Sequence, residues 1–241
     1  MKTIKLPVPI FTDPVITECE ILKPTTGVIM ETKKVVDTGD YFLGLKKFLS
    51  GSILIKDSVE KTKQLVGEIP IQTAEYLAVQ IMLLHYPEDD GVEGVYICPR
   101  CGEHKICESK EDIDTRDFIS ELDVNMFDGN EENTKDVKVE LIDKKTNNII
   151  LEVSSLSMRF PLLRDYIESA NKVGYQNEVD IQKNVYVKCL TKLNGSEITK
   201  EDRNRYGIKI IEKTEPKDLN YFAREISKYG LQTLIQKICL K

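Results

Sequence analysis

The chain has 241 residues, 41% of them hydrophobic, with a formal net charge of −6, which allows one large domain or two modest ones around a real core. It carries neither an N-terminal charged-then-apolar signal nor an apolar run near the roughly 18 residues that cross a bilayer, so the expectation is a globular protein of a reducing, cytosolic compartment with no membrane segment of its own. Mild acidity without a basic stripe argues against nucleic-acid binding, which needs cations to displace counterions from phosphate.

Taken in order, Ile4-Lys5-Leu6-Pro7-Val8-Pro9-Ile10 and Val15-Ile16-Thr17-Glu18-Cys19-Glu20-Ile21-Leu22 alternate as two short strands around an Asp13-Pro14 turn. A helix is expected from about Thr26. After Thr38-Gly39-Asp40 a second carries Tyr41, Phe42, Leu45, Phe48 and Leu49 on one face, and Ser50-Gly51 is read as its stop. Ile71 to Leu84 is the most hydrophobic helix, apolar all round, which predicts burial in a core or an oligomer contact. His85 closes that helix and is assigned to its last carbonyls and dipole, not to a metal.

The most informative stretch follows. Three of the six cysteines and one of the two histidines fall in Cys98-Pro99-Arg100-Cys101-Gly102, His104 and Cys107. Two cysteines with two residues between them and a glycine after the second form a turn that aims both thiolates at one tetrahedral ion, which makes this a zinc knuckle candidate. Complete ribbons bring their second ligand pair from a separate hairpin, so His104, Cys107, Cys189 and Cys239 compete for the remaining positions. The rival reading is a plain hairpin, Val95-Tyr96-Ile97 into Lys105-Ile106, with buried reduced thiols. A redox C-x-x-C would open a helix after a strand, whereas the residues after Gly102 read as a strand. With no general base close in sequence, a structural zinc is favoured over a catalytic one.

Between Glu108 and Asp136 stand eleven acids and three bases, a net of −8, which leaves the rest of the chain near neutral. The segment reads as a solvated connector or as a docking surface for a basic partner. Val137 to Ile142 and Asn148 to Val153 then form a second strand pair around Asn147-Asn148. Helices follow: Pro161 to Asn171 ended by Gly174, Glu178 to Leu193 up to Asn194-Gly195, Thr199 to Tyr206, and Asp218 to Tyr229 with Gly230 as its cap, before an apolar segment that includes Cys239. The expected fold class is α+β, with two α+β halves joined by a zinc-knuckle β-hairpin and an acidic linker. The divisions are residues 1–90, 91–110 for the cysteine hairpin, 111–136 for the linker and 137–241.

Neither histidine adjoins a G-x-S-x-G elbow, and no phosphate- or dinucleotide-binding glycine motif occurs. Asp123 to Asn130 is a poor calcium loop, with Phe127 and Asp128 where an oxygen ligand and a glycine are wanted. No catalytic residue is assigned, and a non-enzymatic structural or assembly role is expected.

Several segments resemble tail proteins of contractile-tailed bacteriophages. Lys5-Leu6-Pro7-Val8, then Glu20-Ile21-Leu22-Lys23-Pro24-Thr25, a helix and Thr38-Gly39-Asp40 are similar to Mu-like tail assembly chaperones. Thr73-Ala74-Glu75-Tyr76-Leu77 leading into the cysteine hairpin resembles a T-even-type baseplate hub subunit, as do Ser155-Leu156-Ser157-Met158-Arg159-Phe160-Pro161 and Pro216-Lys217-Asp218-Leu219 before Tyr229-Gly230-Leu231. The resemblance implies a component of a tail, baseplate hub or related injection machine, made in the host cytoplasm and contacting other hub or tail proteins or further copies of itself. It also implies a second C-x-x-C that Cys239 represents alone here, which turns attention to Cys98, Cys101, Cys107 and His104 as the zinc ligands. The alternatives are a zinc-ribbon adaptor that regulates or binds nucleic acid, and a metal-dependent hydrolase with an open coordination position.

Overall fold

The computed structural model describes residues 2–56, 58–85, 95–97, 104–106, 124–143, 145–174 and 177–231. The fold is mixed α+β. Strand β1, Lys2–Ile10, pairs antiparallel with β2, Ile16–Ile21, and β2 pairs with the short β3, Ile53–Leu54. The β1 ladder is irregular between Lys5 and Ile10, where Pro7 and Pro9 have no N–H to give. A helix side chain takes over there: Val8 N donates to Thr73 Oγ1 at 3.0 Å, and that hydroxyl donates to Val8 O at 2.7 Å. Pro7 O in turn accepts from Phe127 N at 2.7 Å, so a buried proline-rich strand keeps its polar groups satisfied.

Helix α1, Thr26–Val36, is capped by Thr25, and α2, Tyr41–Ser52, by Asp40 Oδ1, which accepts from Leu43 N at 2.9 Å. Gly51 does not stop α2. It lies inside the helix because α1 crosses there: a Cβ at Gly51 would stand 2.4 Å from Val28 Cγ2, and one at Gly44 would stand 2.5 Å from Val36 Cγ2. Helix α3, Val59–Leu65, a 3₁₀ turn over Val66–Glu68 and α4, Ile71–His85, complete this half. Helix α4 is amphipathic in place: Ile71, Ala74, Leu77 and Ile81 are buried, whereas Met82 and Leu84 are exposed.

Strands β4, Val95–Ile97, and β5, His104–Ile106, form a two-stranded antiparallel sheet, and β6, Val124–Asn125, pairs with β11, Gly230–Leu231. The larger sheet runs β10-β9-β8-β7. Its strands are β7, Glu132–Ile142, β8, Ile149–Arg159, β9, Leu190–Leu193, and β10, Ser196–Glu197. Strand β7 therefore begins upstream of Val137, inside the stretch read as acidic linker, and β8 runs on past Val153. The helices here are α5, Leu163–Val173, α6, Glu178–Cys189, α7, Lys200–Lys213, and α8, Pro216–Ser227.

Two hydrophobic cores result, and α5 faces both. Leu163 and Ile167 enter the first with β1, β2, α2 and α4, while Ala170 enters the second with Val139, Leu156, Val185, Ile210 and Phe222; Tyr166 packs on both. A β-bridge doubles the joint: Ile71 N donates to Pro161 O at 3.0 Å and Leu163 N to Ile69 O at 2.9 Å. Phe11, Phe127, Phe160 and Tyr229 close one side, with Phe127 set 5.5 Å from Phe11 and from Phe160, centroid to centroid.

Candidate functional site

The hairpin that frames the expected metal site is present as backbone. Val95 pairs with Ile106 and Ile97 with His104, so the C-P-R-C-G run belongs to the connection between two paired strands and His104 is the residue of β5 next to it. Cys98, Cys101, Cys107 and Cys239 lie outside the described residues. Among the described residues no group of three or more His, Cys, Asp or Glu is arranged to hold a metal ion.

The two described thiols, Cys19 and Cys189, are free and belong to the cores. Burial, helped by Glu20, pushes the Cys19 thiol up to about 12. Burial and Asp165 push Cys189 up to about 12 against the opposing pull of Arg159, Arg203 and Lys188. Neither thiol has two further His, Cys, Asp or Glu residues arranged around it, among the described residues, to complete a metal site. His85 ends α4 as expected, but its Nε2 is buried without a hydrogen-bond partner among the described residues.

The strongest polar constellation sits at the joint. Arg159, the last residue of β8, donates from Nη1 to Asp165 Oδ2 at 2.7 Å and from Nη2 to Asp165 Oδ1 at 3.1 Å. Its other bonds go to backbone, Nη1 to Phe160 O at 2.8 Å and Nη2 to Lys188 O at 3.2 Å. Asp165 Oδ2 also accepts from Leu162 N at 2.9 Å, satisfying one of the orphan donors at the start of α5. One ion pair thereby ties the end of a strand, the start of α5 and the end of α6. It is saturated by the fold and has no donor left over for a substrate at the atoms named. The hexapeptide from Leu162 carries the only local sign of it, an acid three residues into a helix whose cap position is a leucine.

Around Tyr166 the surface is less complete. Pro161, Tyr166, Val185, Cys189, Ala223 and Ile226 are among the residues that line a cavity of about 170 Å³ between α5, α6 and α8. On its other side the Tyr166 ring stacks on Phe42 at 4.6 Å, and Phe42 meets the half-exposed Tyr41 edge-on at 5.4 Å. Glu75 of α4 acts electrostatically on both Tyr41 and Tyr166, and partial burial raises its own carboxyl above the usual range.

Among the described residues, two exposed apolar surfaces stand out. Helix α1 has no buried residue and displays Ile29, Val36 and Met30, the last 57% exposed; the tip of the β7–β8 hairpin displays Ile142, Ile149 and Ile150. No helix among the described residues is long and apolar enough to cross a membrane. Comparison with protein-family models, with curated proteins and with solved structures found no match to this chain.

Proposed function

We propose that this chain is a structural or assembly component of a contractile phage tail or baseplate hub, stabilised by a structural zinc and acting through protein–protein contacts. The observation that carries the reading is α1: an eleven-residue helix with no buried residue, packed on α2 through Val28 and Val36, with Ile29 and Met30 exposed. Exposed apolar side chains grouped on one element mark surfaces that other proteins cover. In this reading the hairpin of β4 and β5 is too small to bury a core, and zinc held by Cys98, Cys101, His104 and Cys107 replaces the missing apolar contacts. The partners are other tail or hub proteins, met in the host cytoplasm during assembly.

The test is co-expression of the chain with tail-tube, tape-measure and hub proteins encoded beside it. Wild type is expected to co-purify with at least one of them and the double variant Ile29→Asp, Met30→Asp to lose it with an unchanged melting temperature. Retention of every partner by that variant, or a single-chain mass with every partner, would sink the reading. Salt-sensitive binding to DNA instead would favour the adaptor.

A further inference from the structure

Helix α1 meets α2 at two glycines, Gly44 against Val36 and Gly51 against Val28. Beside that contact the two helices leave a groove of about 330 Å³, lined by Val28 and Glu31 of α1 and by Leu43, Lys46, Lys47 and Ser50 of α2. The groove exceeds the roughly 150 Å³ that accepts benzene, so it has room for at least one large apolar side chain against Val28 and Leu43.

Its rim is cationic. From Lys23 to Lys56 the chain carries six lysines against three acids, whereas the whole chain has a formal net charge of −6. Two of those acids are engaged: Asp40 caps α2 from a buried position, and Glu31 stands 3.7 Å from Lys47 Nζ. The second pair is loose, because its side chains are 43% exposed for the lysine and 69% for the acid, and such pairs contribute little. An incoming carboxylate can therefore take over Lys47 with little loss. The exposed Lys34 follows Glu31 by three residues and lies on the same side of α1, and Met30, 57% exposed, stands one turn before Lys34.

We propose that this groove receives an acidic segment of a partner protein, which sets a large apolar side chain against Val28 and Leu43, places carboxylates against Lys34 and Lys47, and covers Met30. The inference rests on the reading of α1 as a surface that a partner covers, and adds the chemistry of that partner: apolar anchors spaced among acids. Charge complementarity selects this occupant. A nucleic acid or an anionic membrane would also meet the lysines, but neither a phosphate backbone nor a plane of headgroups fills a recess floored by Val28 and Leu43. The identity of the partner as a tail protein is a separate matter, and the groove would keep its chemistry without it.

The test titrates the full chain with a fluorescein-labelled peptide of the pattern Glu-Leu-Leu-Glu-Asp-Leu-Phe-Glu, and with a second peptide in which Ser replaces every Leu and Phe. Wild type is expected to bind the first with a dissociation constant of about 100 µM or tighter at low salt, and the second about tenfold more weakly or worse. The double variant Lys34→Glu, Lys47→Gln, altered only at exposed positions, should weaken the first peptide by about tenfold or more with an unchanged melting temperature. No saturable binding, equal affinity for the two peptides, or undiminished binding by the double variant overturns the proposal. So does tighter binding to vesicles of equal parts phosphatidylserine and phosphatidylcholine, which would make this face a membrane contact. Co-expression separates the two readings. A tail partner kept by Lys34→Glu, Lys47→Gln but lost by Ile29→Asp, Met30→Asp removes the groove and leaves the tail reading, whereas peptide binding without any tail partner does the reverse.

Discussion

Arg159 grips Asp165 through two hydrogen bonds, of 2.7 and 3.1 Å, at the place where the two cores share α5. The acid is nearly enclosed, with its side chain 4% exposed, while the arginine is 22% exposed. Pairing offsets the desolvation of both, and the other two donors of the terminal nitrogens go to Phe160 O and Lys188 O.

Removing one partner leaves the other buried and alone. Arg159→Met is expected to cost about 3–5 kcal/mol in a urea titration, as for other broken buried pairs. Arg159→Met combined with Asp165→Leu should recover part of that loss, less the bond from Leu162 N that Asp165 also accepts. A single variant within about 1 kcal/mol of wild type would show that the pair does not hold the joint.

The α1–α2 contact makes an opposite-signed pair of effects at one residue. Gly51→Ala gains about 1 kcal/mol of helix propensity but drives a methyl to 2.4 Å from Val28 Cγ2. Because α1 buries nothing in either core, the clash is relieved by moving α1, not by unfolding the body. Hydrogen exchange should therefore show faster exchange in 26–36 with an almost unchanged global melting temperature, and Val28→Ala should restore protection. A global drop of more than about 2 kcal/mol would contradict this account of α1 as a separately held helix.

Cys19 and Cys189 set a pH dependence on the alkaline side. Each thiol is raised to about 12 in the folded chain, above the ordinary value near 9, so the folded state holds protons that the unfolded state releases first. Their contribution is fully present below about pH 9 and is lost as pH rises toward 12, at about 1.4 kcal/mol per pH unit for each thiol. The double variant Cys19→Val, Cys189→Val should flatten the fall of the urea midpoint between pH 9 and 10.5 relative to wild type. Parallel curves would mean that the thiols are not buried as described.

Zinc is tested by stoichiometry. Protein prepared without added metal should carry close to one equivalent, which Cys98→Ser and Cys101→Ser each remove with a lowered melting temperature. Cys189→Ser should leave the zinc content unchanged, because that thiol belongs to the second core. Less than a tenth of an equivalent in wild type would eliminate the metal.

Local signals located most elements, and tertiary contacts explain where they failed. Thr25, Asp40 and Gly174 marked helix ends as their chemistry requires. Gly51 misled because its role is to admit Val28, a residue from another helix. Leu190 to Leu193 continued a helical pattern in sequence but forms β9, since Leu193 pairs with Leu156 and Leu190 with Met158 far upstream. The dipeptide after it carried the missed signal: Asn194 and Gly195 have φ of 52° and 77°, the left-handed pair of a tight hairpin turn, and Asn194 Oδ1 accepts from Ser154 N at 2.7 Å. The joint was illegible for a similar reason. Nothing near Glu75, Tyr166 or Arg159 announces that helix α5 will serve two cores at once.

The proposed role in building a contractile tail is tested most directly by electron microscopy of infected-cell lysates in which this chain is not made. The account predicts filled or empty capsids without complete tails, restored when the wild-type chain is supplied in trans. Complete, contractile tails in normal numbers in its absence would contradict it.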